Sequence, residues 1–208
     1  MKLFLSSMGI AGTQLADFLE LVGKEPKDIK FVLIESAANV GTGDTSWVVS
    51  NRNEIIAAGV QVELLELEDF IEDHSDLHER LKNSDVIWCG GGNTFYLRWL
   101  LRQTGADKFI ADHVASGKVY GGGSAGAIVA GSQLKYIDAL DDSGKAPEVI
   151  FEGMNFIDEV ILPHWGNEQY GEVLIDIREK LQAEGYKTIE ITDSQVLVVE
   201  GDSRRIIG

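Results

Sequence analysis

Short apolar runs alternate with longer stretches of helical period along most of the chain. This rhythm predicts an α/β protein with a mainly parallel sheet. The predicted strands are Lys2–Ser6, Lys30–Ser36, Gln61–Leu67, Asp85–Cys89, Lys118–Tyr120, Glu159–Leu162, Thr188–Ile191 and Gln195–Val199. The predicted helices are Thr13–Val22, Thr45–Ala58, Asp73–Asn83, Thr94–Gln103, Asp107–Ala115, Ala125–Ala130 and Glu168–Ala183. Several strands are apolar at every position, so we expect helices on both faces of the sheet.

The end of the chain departs from this alternation. Two apolar runs, Gln195–Val199 and Arg204–Ile207, are separated by a turn that contains Gly201 and Asp202. That arrangement predicts a C-terminal β-hairpin. With 208 residues, 3 prolines and no visible repeat, the chain is expected to form a single domain over residues 1–208.

Charge narrows the range of partners. The chain has 18 Lys and Arg against 34 Asp and Glu, which gives a formal net charge of −16. Such a charge repels phosphate backbones, so we expect neither nucleic-acid nor anionic-membrane binding. No window approaches the length of about 20 apolar residues that a membrane helix needs. The single cysteine, Cys89, and an apolar N-terminal run too short for a signal peptide favour a cytoplasmic protein.

Glycine clusters at two places where a predicted strand meets a helix, Gly90–Asn93 and Gly121–Gly126. In α/β sheets, ligands bind at such junctions. The second cluster contains a G-x-S-x-G pattern centred on Ser124, the pattern of a nucleophile elbow. Small residues on either side allow a sharp turn that exposes the hydroxyl. The sequence therefore predicts Ser124 as a nucleophile.

The same cluster supports two other interpretations. The glycines could serve only a tight turn, with Ser124 capping the following helix. Alternatively, Gly121, Gly123 and Gly126 match the dinucleotide fingerprint G-x-G-x-x-G, with Asp141 or Asp142 as the acidic partner. The predicted helix after Gly126 is short for that fingerprint.

A serine nucleophile needs a base, and histidine is the usual one. His164 follows a predicted strand and Pro163, where α/β enzymes place catalytic side chains, although a structural role is an alternative. His74 and His78 are spaced to share a helix face, which indicates a solvated surface more than a metal site. His113 is predicted to face solvent.

The base in turn needs a carboxylate to orient it. The polar loop after the elbow helix offers Asp138, Asp141 and Asp142, and spacing does not choose among them.

Three motifs together resemble one family. They are Val86–Phe95, which contains Gly-Gly-Gly-Asn, the segment Gly122–Gly131 around Ser124, and Leu162–Trp165 with its Pro-His pair. In this order they are similar to the serine peptidases typified by peptidase E, an aspartyl dipeptidase, and by cyanophycinase. The resemblance implies a three-layer α/β sandwich related to class I glutamine amidotransferases, with serine in place of cysteine.

The resemblance also implies roles for individual residues. Ser124 would be the nucleophile, His164 the base, and the Gly91 and Ala125 N–H groups the oxyanion hole. The acidic member would lie after the elbow helix, with Asp142 favoured by position and Asp141 second.

The resemblance further implies hydrolysis of short peptides, most of all dipeptides that begin with aspartate. Asn93 and Lys135 would contact the substrate, Lys135 where the resembled dipeptidase has arginine. No metal or cofactor is implied, and a homodimer is a further expectation. Alternatives are another serine hydrolase, such as an amidase, an esterase or a β-aspartyl hydrolase of the cyanophycin type, a nucleotide-binding module, or a non-catalytic relative.

Overall fold

The computed structural model describes residues 1–10 and 12–208. The strands of this part of the chain are β1 (Lys2–Ser6), β2 (Lys30–Ile34), β3 (Gln61–Leu65), β4 (Val86–Cys89), β5 (Val119–Gly123), β6 (Val160–Leu162), β7 (Thr188–Glu190), β8 (Val196–Glu200) and β9 (Ser203–Ile207). Its helices are α1 (Leu15–Val22), α2 (Ser46–Ala57), α3 (Leu77–Lys82), α4 (Thr94–Gln103), α5 (Ala106–Ala115), α6 (Ala125–Ala130) and α7 (Gly171–Ala183).

In the described residues, a seven-stranded sheet has the order β3-β2-β4-β5-β1-β8-β9. The first five strands of this order are parallel to one another. The last two form the antiparallel C-terminal hairpin, with β8 antiparallel to β1. A separate parallel pair joins β6 to β7. The predicted α/β architecture and the predicted hairpin are both confirmed.

Both faces of the sheet are covered, as the apolar strands predict. Along β1, Leu3 and Leu5 belong to the larger apolar cluster, which includes residues of α4 to α7. Phe4 points to the opposite face and packs in the smaller cluster with Phe18 of α1 and Trp88 of β4. Alternate residues of a strand lie on opposite faces, so this division is what a three-layer sandwich requires.

One predicted strand boundary is wrong in an instructive way. β5 extends to Gly123, whereas the glycines after Tyr120 read as a turn in the sequence. Gly121 pairs with Phe4 in the sheet, and this strand position needs glycine because a Cβ there would be 2.1 Å from the Trp88 ring. Two helices begin three or more residues later than predicted, α3 at Leu77 and α7 at Gly171. No helix in the described part of the chain is long and apolar enough to cross a bilayer.

His113 differs from its predicted exposure. It lies on α5 with 5% of its surface accessible, and its Nε2 is 3.0 Å from the Val119 carbonyl oxygen. The helix turns this face toward β5, so the ring is covered by the sheet. Burial lowers the pKa of His113 to about 4, because the charged ring would lose its hydration.

His113 should therefore make folding stability depend on pH. Between pH 6.5 and 4 the unfolded chain binds a proton at this position and the folded chain does not, so the free energy of unfolding decreases as pH falls. The linked loss is about 3 kcal/mol at most. Urea unfolding of the wild type and of His113→Gln at pH 7, 5.5 and 4 measures it.

We expect the difference between the two curves to shrink or reverse as pH falls. The exposed His78→Gln variant is the control and should follow the wild type. An unchanged difference across this range for His113→Gln would contradict the assignment.

Candidate active site

Ser124 occupies the sharp turn between β5 and α6. Its backbone has φ 49° and ψ −109°, a region that side-chain-bearing residues rarely adopt. The turn is held by the Ser124 N–H, which donates to the Ser6 carbonyl oxygen at 3.0 Å. A strained backbone at this junction is the geometry of a nucleophile elbow, in which the hydroxyl projects away from the sheet.

The glycines of the motif are needed because backbones meet around the turn. A Cβ at Gly122 would lie 2.4 Å from the Gly126 carbonyl, and one at Gly126 would lie 2.0 Å from the Cys89 carbonyl oxygen. A Cβ at Gly123 would lie 2.8 Å from the Met8 carbonyl oxygen. These distances are too short for real contacts, so only glycine fits and α6 packs directly on the strands.

His164 is the side chain that contacts the Ser124 hydroxyl. It follows β6 and Pro163, and its Nε2 lies 3.0 Å from the Ser124 Oγ. Its backbone also has a positive φ, 61°, and its N–H donates to the Ser7 Oγ at 3.0 Å. Ser7 in turn donates to the Ile191 carbonyl oxygen at 2.9 Å, which ties this corner to the end of β7. The structure thus brings together the two side chains that the sequence predicts to act as a pair.

The second ring nitrogen of His164 faces Asp193. The distance from Nδ1 to Asp193 Oδ1 is 2.6 Å, and the other carboxylate oxygen accepts from the Asn167 side chain at 2.8 Å. Asp193 is therefore held by two partners and can fix the orientation of the imidazole ring. The Tyr170 ring lies 5.2 Å from the His164 ring, centroid to centroid, and bounds it on another side.

The prediction that Asp142 neighbours His164 does not agree with this geometry. The Asp142 carboxylate instead accepts from the Gly144 N–H at 2.9 Å and caps a short turn of its own loop. Asp138 is exposed and lies near Lys180. Both belong to the loop after α6, whereas the ring of His164 turns its Nδ1 toward the segment between β7 and β8.

The surroundings of Asp141 differ from those of Asp138 and Asp142. It lines the cavity, and its Oδ2 accepts from the Thr94 N–H at the start of α4, at 2.9 Å. Burial raises the pKa of Asp141, while the hydrogen bonds from Thr94 and the nearby His164 oppose that rise. The carboxylate thus serves the start of α4 and leaves the imidazole of His164 to Asp193.

The N–H groups predicted for an oxyanion hole lie beside the nucleophile. A Cβ at Gly91 would be 3.3 Å from the Ser124 Cβ, so the two backbones are in close contact. Ala125 is the first residue of α6, and the first N–H groups of a helix have no acceptor within it. Both residues therefore lie next to Ser124, and their N–H groups remain the predicted donors to an oxyanion.

Ser124, His164 and Asp193 line one cavity of about 530 Å³. Its lining also includes residues from the segment before and within α2, and from the loop before α7, such as Trp47 and Tyr170. The Trp47 ring would lie 3.4 Å from a Cβ at Gly91, so it forms a wall beside the nucleophile. No motif in the sequence marks this aromatic wall, because Trp47 falls in an ordinary helical stretch.

The two predicted substrate contacts differ in their surroundings. Asn93 lines the cavity, but its side chain caps α4 through Tyr96 N–H and donates to the Asp142 carbonyl oxygen, at 2.9 Å in each case. Lys135 does not line the cavity, in contrast to the prediction. Its Nζ is 2.8 Å from Glu184 Oε2 and lies over the Tyr186 ring, because the segment after α6 runs toward the end of α7.

The residues that the structure describes contain no group of three or more His, Cys, Asp or Glu side chains that could hold a metal ion. His74 and His78, the spaced pair noted above, are both exposed, and the His78 ring stacks on Phe109.

Sequence reasoning missed Asp193, although a signal for it existed. β6 and β7 are parallel neighbours, with Leu162 opposite Glu190. Parallel strands end at the same edge of a sheet, so the residues that follow them lie close together. His164 and Asp193 are two and three residues beyond these paired positions. Pairing the two short predicted strands would have pointed to Asp193.

The family of the chain follows from comparison with known proteins. The sequence profile described as Peptidase family S51 matches residues 5–207. The chain belongs to this family. Membership confirms the resemblance that the three motifs predicted.

Individual relatives support the S51 assignment. An uncharacterized peptidase of Listeria monocytogenes serovar 1/2a is 35% identical over 130 residues, which cover 62% of each chain. Peptidase E of a Nostoc species is 30% identical over 63% of this chain and 55% of its own. The matched region thus spans less than two thirds of either relative.

A crystal structure gives a fuller match to this S51 chain. A protein of Listeria monocytogenes EGD-e that carries a provisional peptidase E name superimposes with a TM-score of 0.85 at 28% identity. The match covers 99% of this chain and 97% of that one. The α/β architecture is therefore shared over the whole described fold.

Proposed function

We propose that this protein is a serine peptidase that hydrolyses short peptides through an acyl-enzyme. The observation that carries the proposal is the continuous contact from Ser124 Oγ to His164 Nε2 and from His164 Nδ1 to Asp193. A serine hydroxyl is a weak nucleophile until a neighbouring base removes its proton. Here the base is within hydrogen-bond distance and is itself oriented by a carboxylate.

The proposed reaction follows from these positions. His164 takes the proton of Ser124 as the hydroxyl oxygen attacks the peptide carbonyl carbon, and the Gly91 and Ala125 N–H groups hold the resulting oxyanion. His164 then gives the proton to the leaving amine, and water resolves the ester in a second cycle of the same kind. Asp193 stabilises the imidazolium that forms in each half-reaction. Each oxyanion donor is expected to lower the barrier by about 3 kcal/mol.

The dimensions of the cavity favour small substrates. A volume of about 530 Å³ lies in the range of sites that enclose small molecules, and it is large enough to hold a dipeptide. Dipeptides that begin with aspartate are the first class to assay, given the family to which the chain belongs. With its single buried cysteine, the protein would act on such peptides in the cytoplasm.

The contact between Ser124 and His164 favours this proposal over a nucleotide-binding module. A phosphate cradle would need the N–H groups at the start of α6, but it would not need a base beside Ser124. Backbone atoms already fill the space around Gly122 and Gly126. The elbow therefore matches covalent catalysis more closely than a dinucleotide site.

Covalent labelling tests the proposal directly. A fluorophosphonate probe should modify native protein at one position, and peptide mapping by mass spectrometry should place the label on Ser124. Heat-unfolded protein is the control and should stay unlabelled, because only the folded site activates the hydroxyl. The same preparation is assayed on Asp-Leu, Asn-Leu and simple esters. Native protein that is neither labelled nor active on any of them would refute the proposal.

A further inference from the structure

The cavity has an uneven distribution of charge. Four aspartates line it, and Lys145 is the one lysine or arginine that lines it among the described residues. The aspartates are Asp44, Asp141, Asp142 and Asp193. An anionic substrate would be repelled by such a lining unless a cation offset it.

Each of these carboxylates already has a donor within the protein. Asp193 is bonded to His164 and Asn167, and Asp141 accepts from the Thr94 N–H. Asp142 accepts from Gly144, and Asp44 accepts from both the N–H and the hydroxyl of Ser46. The four carboxylates therefore already accept hydrogen bonds from residues that line or support the cavity.

Lys145 is the exception. Its side chain is exposed, and within residues 1–10 and 12–208 it has no ion pair, hydrogen bond or ring contact. Several other lysines of this acidic protein are paired, such as Lys24 with Asp85, Lys135 with Glu184, and Lys180 with Asp176. An ammonium group that faces a cavity without a partner is available to a ligand.

The backbone that carries Lys145 is anchored to the active site. Its N–H donates to the Asp142 carbonyl oxygen at 3.2 Å, in the turn that the Asp142 carboxylate caps. The same carbonyl oxygen accepts from the side chain of Asn93, which caps α4 and lies two residues after Gly91. Lys145 thus stands on a loop whose position is fixed relative to the oxyanion donors.

We propose that Lys145 binds a carboxylate of the peptide substrate and so determines specificity. The inference rests on the proposed peptidase function and replaces Lys135, which is paired outside the cavity. Two groups of a dipeptide have this chemistry, the side chain of an acidic first residue and the C-terminal carboxylate. A lysine offers a point charge to either of them. Lys145 does not touch the reacting atoms, so its effect falls on binding.

Three substrates separate the two sources. Asp-Leu has both carboxylates, Asn-Leu lacks the one on the side chain, and Asp-Leu amide lacks the C-terminal one. Lys145→Met should reduce kcat/KM for Asp-Leu by about tenfold or more, mainly through KM, because a charge-assisted contact is lost. The loss should be absent for the substrate that lacks the carboxylate bound by Lys145. Lys135→Met is the matched control and should leave all three rates unchanged.

Binding keeps the inference testable apart from turnover. In the Ser124→Ala background, titration calorimetry with Asp-Leu should show affinity about tenfold weaker after Lys145→Met. An equal loss for all three substrates, no loss at all, or no binding of Asp-Leu to either protein would overturn the role of Lys145. Fluorophosphonate labelling of Ser124 does not depend on Lys145. Its failure would therefore overturn the peptidase proposal instead, and the two failures are distinguishable.

Discussion

Ser124→Ala is expected to reduce kcat for dipeptide hydrolysis by about 10⁶-fold, the effect of removing the nucleophile from a serine triad. Among the described residues, Ser124 is the one whose hydroxyl contacts the His164 imidazole. We therefore expect no other hydroxyl of the cavity to form the acyl-enzyme in its place. Steady-state assays at saturating substrate measure the loss, with enzyme concentrations high enough to detect the residual rate.

The fold should survive this substitution. Alanine has the same backbone preference as serine at φ 49°, so the strain of the turn is unchanged and only one hydrogen-bonded oxygen is removed. We expect the melting temperature to shift by only a few degrees. Substantial turnover by a well-folded Ser124→Ala protein would exclude Ser124 as the nucleophile.

The apolar pattern predicted nearly all of the architecture because the central strands, such as β4 and β5, are buried on both faces. β1, α4 and α6 begin and end at the predicted residues. The error at Gly121–Gly123 has a steric cause. These residues look like turn residues in the sequence, yet they are strand residues that must be glycine, because Trp88 and neighbouring backbones leave no room for side chains. Glycine that is required by close packing cannot be separated from glycine that is required by a turn without knowing what lies beside it.

Ser124 and His164 were predictable because the sequence around each of them is a recognisable local motif. Ser124 and His164 each lie within a local motif, and each motif directly follows a strand. The positive φ of each residue belongs to that local turn. Lys135 was not predictable in this way, since its direction depends on Glu184 and Tyr186, which lie about 50 residues away.

Asp193 was missed because its role arises from pairing between two short strands. Its neighbours, Thr192 and Ser194, form an ordinary polar link with no motif. Only the parallel register of β6 and β7 brings this link to the Nδ1 side of His164. Position along the chain favoured Asp142, in the loop before His164, as the carboxylate partner. The pairing of β6 with β7 instead favours Asp193, which comes after His164.

Asp193→Asn should separate these two interpretations, with Asp142→Asn as its matched control. An amide at position 193 cannot stabilise the imidazolium and favours the wrong tautomer of His164, so kcat should fall by about 10⁴-fold. Asp142→Asn keeps an oxygen that can accept from the Gly144 N–H, so kcat should change by less than about threefold. Dipeptide hydrolysis by both variants, with melting temperatures to confirm folding, measures the contrast.

The contrast between the two variants decides which loop supplies the acidic residue. A large loss in Asp193→Asn together with near-normal activity in Asp142→Asn would assign that role to the segment between β7 and β8, whose Asp193 contacts His164 Nδ1. A large loss in Asp142→Asn together with near-normal activity in Asp193→Asn would restore the loop after α6 as the source of the acidic residue.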